Sequence, residues 1–156
     1  MSAGRPQRLL VGVGNRQRCD DGVGPRAAAA VAAMGLPDLE VVEHTGELSS
    51  LLELWEGRSR VVVVDALRGG RRWSAGAIVR FDAHAESLPS RAFTSTHAFS
   101  VAEAIELGRA LGQLPPHLVV IGLAAAWFEH GESLSAPVSD ALDGLVRRVV
   151  GEIEGA

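Results

Sequence analysis

Gly12-Val13-Gly14-Asn15-Arg16-Gln17-Arg18-Cys19-Asp20-Asp21-Gly22-Val23-Gly24 decides how this chain is read. The apolar run Leu9–Val13 enters a glycine turn, and two adjacent carboxylates follow at the mouth of an alanine-rich segment. Backbone N–H groups and the positive end of the helix dipole favour an acid there. Two acids in a turn that brings main chain close to its surroundings need a further reason. The expectation is that one caps the helix and the other holds a metal ion.

Working outward, 22–34 predicts a helix ended by Gly35 and Pro37. Leu39–Glu43 predicts a short strand and Leu48–Trp55 a short amphipathic helix. The β-branched run Val61-Val62-Val63-Val64, within 60–65, predicts a strand buried on both faces. A strand over 77–81 follows the Gly69-Gly70 turn, and a polar, loop-like stretch runs from 82 to 96. A helix is expected from His97 or Phe99 to Leu111, with Val101, Ile105 and Leu111 near one face. Leu118–Leu123 completes the strands, and a last helix over 137–153 carries Val138, Leu142, Leu145 and Val149 as its buried stripe. Strands alternating with helices predict an α/β fold: three layers, a twisted and mostly parallel sheet with helices on both faces. A length of 156 residues suits one domain, with its core at about residues 9–150.

The totals exclude several classes. A hydrophobic share of 47% and a mean hydropathy of +0.15 fit a soluble protein. Net charge is −4 with no long basic block, which argues against nucleic acid and anionic membrane as partners. No apolar run approaches membrane-spanning length, and a lone Cys19 suits a reducing, cytoplasmic setting. Lysine is absent, which removes a Walker-type phosphate loop and Schiff-base chemistry.

Ligands in such sheets gather beyond the carboxyl ends of the strands. There the sequence places Asn15, Asp20 and Asp21, then Glu43 and His44, then Asp65, then Ser95-Thr96-His97. Asp21, Asp65 and His97 can therefore converge on one rim. Two carboxylates and an imidazole suit a divalent ion of borderline hardness, such as nickel or zinc, with positions left open. The plainer readings are a helix cap for Asp21, a turn anchor for Asp65 and a helix-start residue for His97. Cys19 reads as a small buried turn residue, and His44 beside Glu43 takes second rank.

These pieces, in this order, resemble the hydrogenase maturation protease family. Its opening block, Gly-x-Gly-Asn, a spacer, then Asp-Asp/Glu-Gly-x-Gly, matches Gly12 to Gly24. Its central Asp-Ala matches Asp65-Ala66, its Ser-x-His matches Ser95-Thr96-His97, and its late Leu-Ser-x-x-Val matches Leu134-Ser135-Ala136-Pro137-Val138. The resemblance implies an endopeptidase whose substrate is the nickel-loaded precursor of a nickel–iron hydrogenase large subunit. It implies removal of that precursor's C-terminal extension, with Asp21, Asp65 and His97 as metal-contacting and catalytic positions. The metal, nickel first, would come with the substrate. The general base is unassigned, with Asp20 or Asp21 the candidates, and a monomer is favoured.

Three departures from the family pattern stand out. Arg16-Gln17-Arg18-Cys19 replaces aliphatic residues, Glu43-His44-Thr45-Gly46 replaces Asp-Gly-Gly-Thr, and Gly122 to Ala126 carries no acid. They admit one alternative, a binder of the precursor that does not cut. A more remote alternative is a dinucleotide-binding module. Against it, Gln17 stands at the third glycine position, and Asp20 and Asp21 set negative charge where pyrophosphate would sit. At an effective dielectric near 20 and ~4 Å, each such like-charge pair costs on the order of 4 kcal/mol.

Overall fold

The apolar runs at Arg8–Val13 (β1), Arg60–Arg68 (β3) and His117–Ala125 (β5) become the three central strands, because both of their faces are covered. In the computed structural model, residues 4–45, 47–89, 92 and 101–155 are described. Leu39–His44 (β2) and Ile78–Asp82 (β4) close the edges, giving the order β2-β1-β3-β5-β4. The β1–β2, β1–β3 and β3–β5 pairs are parallel, and β4 runs antiparallel to β5. The short link from β3 to β4 leaves no room for a crossover helix, so β4 returns in the opposite direction.

Alternate strand residues feed opposite layers. Leu9, Val11, Val61, Val63, Leu118 and Val120 pack under Leu48–Trp55 (α2) and Val101–Ala110 (α3), with Trp55 and Ile105 fully buried. Leu10, Val62, Val64, Val119 and Ile121 pack under Val23–Ala32 (α1) and Ala136–Glu154 (α4). Each of the four valines is completely buried, worth about 1.5–3 kcal/mol apiece relative to exposure. The expected three-layer α/β architecture is what forms.

Details differ from expectation where tertiary contacts outweigh local pattern. The segment before α1 is a separate 3-10 turn, Cys19–Gly22, so the helix proper starts at Val23. Leu111, expected on the buried face, lies past the end of α3 and is exposed. In α4 the stripe holds at Val138, Leu145 and Val149, Leu142 is half-buried, and Val146 and Ile153 join the core. β1 crosses to β2 on one side and pairs with β3 on the other. The carboxyl ends of β1 and β3 thus flank the point where strand order reverses, the usual crevice of an open α/β sheet.

Candidate functional site

Glycines seat the first helix against this crevice. A Cβ on Gly12 would strike the Gly24 carbonyl, and one on Gly24 would lie 2.6 Å from the Val64 carbonyl oxygen. Gly14 has φ +146°, and a side chain there would collide with the Asp21 carbonyl. The glycine block thus packs backbone on backbone instead of leaving a phosphate cradle, which counts against the dinucleotide alternative. The Asn15 N–H donates to Asp21 Oδ2 at 3.1 Å and to the Asp21 carbonyl at 3.2 Å. Asn15 Oδ1 in turn accepts from the Gln17 N–H at 2.9 Å, so the spacer is a tight, self-bonded loop.

The two acids divide their work differently from expectation. Neither caps α1: its N-cap is Gly22, with no side-chain bond. Asp20 is fully buried and reaches across to the far strand and the last helix. It accepts from the N–H groups of Ala126 (2.8 Å), Trp127 (3.1 Å) and Ser135 (2.7 Å), and from the Ser135 hydroxyl (2.7 Å). Ser135 is the N-cap of α4, so Asp20 plays the part that a capping-box carboxylate plays within one helix. It also supplies, from the opposite loop, the acid that the end of β5 lacks. Both Asp20 oxygens are thus engaged by donors of the segment that joins β5 to α4.

Asp21 and Asp65 are the pair that meets electrostatically. Asp65 lies within β3 opposite Gly122 and is buried. Its Oδ1 accepts the Ala66 N–H at 2.8 Å, and its Oδ2 is buried with no hydrogen-bond partner among the described residues. Burial, and then the negative charge of Asp21, raise its pKa well above the usual aspartate value, offset in part by the Ala66 N–H. Asp21 has Arg18 Nη1 at 3.8 Å from Oδ2, and its side chain is 5% exposed. His97, the third expected member, lies outside the described residues. Among the described residues no group of three His, Cys, Asp or Glu side chains is arranged to hold a metal.

The departures around the site are mutually satisfied. Arg16 donates to Glu43 through Nε at 2.8 Å and Nη2 at 3.0 Å, and holds that carboxyl below its usual range. The two substitutions are thus each other's partners. His44 Nε2 pairs with Ser50 Oγ at 2.7 Å, tying β2 to α2. Cys19 is a free, buried thiol in a left-handed turn position (φ +49°). Sequence reasoning missed Ser135 as the partner of Asp20, although a serine opening the last helix was a visible cap signal.

Comparison with known proteins bears on this arrangement. The family model HycI, hydrogenase maturation protease, matches residues 31–152, a span that includes Asp65 and His97. The chain belongs to the hydrogenase maturation protease family. Its fold is similar to the hydrogenase maturating endopeptidase HybD from E. coli, with a TM-score of 0.76, 18% identity, and 95% of this chain and 92% of that chain covered. It is also similar to a solution structure of an endopeptidase from Escherichia coli (TM-score 0.74, 20% identity, 95% and 93% covered). A third is the hydrogenase 2 maturation peptidase from Thaumarchaeota archaeon SCGC_AB-539-E09 (TM-score 0.67, 22% identity, 95% and 97% covered). No curated protein matches the sequence. Among the described residues no helix is long and apolar enough to cross a membrane.

Proposed function

We propose that this protein is the endopeptidase that trims the C-terminal extension from a nickel-loaded hydrogenase large-subunit precursor, in the cytoplasm, and recognises the precursor's nickel through Asp21, Asp65 and His97. One observation carries the reading: a buried carboxyl at the crevice, with an oxygen unpartnered among the described residues and a second acid beside it. Two negative charges held together out of water are unfavourable without a cation or a proton. Carboxylate oxygens with an imidazole suit nickel, which belongs to the substrate here.

Within this proposal, Asp65 offers its unpartnered Oδ2 to the metal, and Asp21 holds its place through the Asn15 N–H. The metal supplies Lewis-acid polarisation of the scissile carbonyl. Asp20 positions the loop, holding the turn that carries Asp21 against β5 and α4. The general base is unassigned, with Asp21 or Asp20 as candidates.

Mass analysis of nickel-loaded precursor after incubation tests the proposal. Wild-type protein should shorten the precursor by its tail, and His97→Ala should leave the tail on. Binding without shortening would mark a precursor chaperone instead, and full-rate cleavage by His97→Ala would remove the imidazole from the site.

A further inference from the structure

The turn between β3 and β4 carries a charge pattern that the site described above does not use. From Ala66 to Phe81 there are four arginines and no acid, in a chain whose net charge is −4. Arg68, Arg71 and Arg72 are all exposed, and none makes an ion pair or hydrogen bond among the described residues.

The turn is held in shape. The Gly70 N–H donates to the Trp73 carbonyl at 2.8 Å, which puts Arg71 and Arg72 at its tip. The Gly69 N–H donates to the Ala125 carbonyl at 3.2 Å and the Gly76 N–H to that of Ala124 at 2.8 Å, pinning both legs to β5. Trp73 stands edge-on to Phe81 with ring centres 6.1 Å apart, and the Arg72 guanidinium lies 4.6 Å from the Trp73 ring centre. Three guanidiniums on a fixed turn suit carboxylates, which they grip in a planar, two-pronged manner. A held turn also lowers the ordering cost of binding.

Its position relates it to the crevice. Arg68 follows Asp65 by three residues on β3, about 10 Å further along the strand toward the rim. Arg68 pairs in register with Ala125, and Trp127, 48% exposed, follows two residues later. The Trp127 backbone is fixed on both sides by Asp20, so this exposed aromatic residue follows the end of β5 on a held main chain.

We propose that Arg68, Arg71 and Arg72 dock an acidic stretch of the polypeptide being processed, about three to four residues from the bond cut, given ~3.3 Å per residue of extended chain. The identity of that polypeptide rests on the function proposed above; the preference for carboxylates does not. Three cations in an otherwise acidic protein make too small a basic face for nucleic acid, so an acidic peptide is the fitting partner.

Fluorescence anisotropy tests this with a labelled poly-glutamate peptide, a poly-glutamine peptide and a single-stranded oligonucleotide, against wild type and the Arg68→Glu/Arg71→Glu/Arg72→Glu variant. All three side chains are exposed, so the thermal midpoint of the variant should match wild type. The poly-glutamate peptide should bind wild type at low salt, and lose about tenfold or more in affinity in the variant and again at high salt. Poly-glutamine should not bind. With precursor as substrate, the variant should raise KM with little change in kcat. Equal poly-glutamate affinity for wild type and variant would overturn the proposal, as would tighter binding of the oligonucleotide. A precursor left uncut by wild type would refute the processing function alone, because the peptide measurement needs no cleavage.

Discussion

Replacing Asp65 with Asn keeps the side-chain volume and the acceptor for the Ala66 N–H while deleting a buried charge. Burial and Asp21 raise the Asp65 pKa in the fold, so the folded chain binds this proton more tightly than the unfolded chain does. Stability therefore falls as pH rises from the unfolded value, about 3.9, through the folded one, and the penalty is complete above it. Asp65→Asn is expected to be more stable than wild type at neutral pH, by about 1–3 kcal/mol, with the gap closing below pH ~4. Urea unfolding at several pH values checks this, and pH-independent equality of the two would contradict it. Asp21 and Asp65 were singled out in the sequence because each follows an apolar run, although Asp65 lies within β3 and not beyond its end. The task of Asp20 was not, because its partner Ser135 lies 115 positions away and only folding brings them together.

At the scale of elements, Asp20 joins three parts: the 3-10 turn, the end of β5 and the start of α4. Asp20→Ala would leave three backbone N–H groups without their acceptor, two of them just past the end of β5 and one at the N-cap of α4. The expected loss is about 3 kcal/mol or more, against about 1 kcal/mol for Ser135→Ala, which removes a single donor. Chemical denaturation of the two variants reads the difference. Gly24→Ala should also destabilise, by about 3 kcal/mol, because its Cβ meets strand carbonyls that cannot give way. A thermal midpoint within error of wild type would refute the close packing of α1. The exposed Arg16–Glu43 pair should contribute no more than about 1 kcal/mol. Helix and strand existence was legible from periodicity, and α2 starts and ends where its pattern does. The separate turn before α1 was not, because its distinctness comes from bonds to Trp127 and Gly131 across the crevice.

For the molecule as a whole, alternation of strands and helices was enough to predict the layered sheet. Strand order and the antiparallel β4 were beyond the sequence, because pairing with β5 is decided by a segment that arrives later in the chain. The arginine turn was visible as letters, but its start opposite Ala125 of β5 is a product of register. The central proposal is that the acids of the crevice grasp a metal that the substrate brings. Affinity for nickel-loaded against nickel-free precursor, measured for wild type and Asp65→Asn, tests it most directly. Wild type is predicted to prefer the loaded form by about tenfold or more, about 1.4 kcal/mol, and Asp65→Asn to bind both alike while remaining folded. A wild type that binds the two forms equally, or a preference that survives in Asp65→Asn, would contradict it.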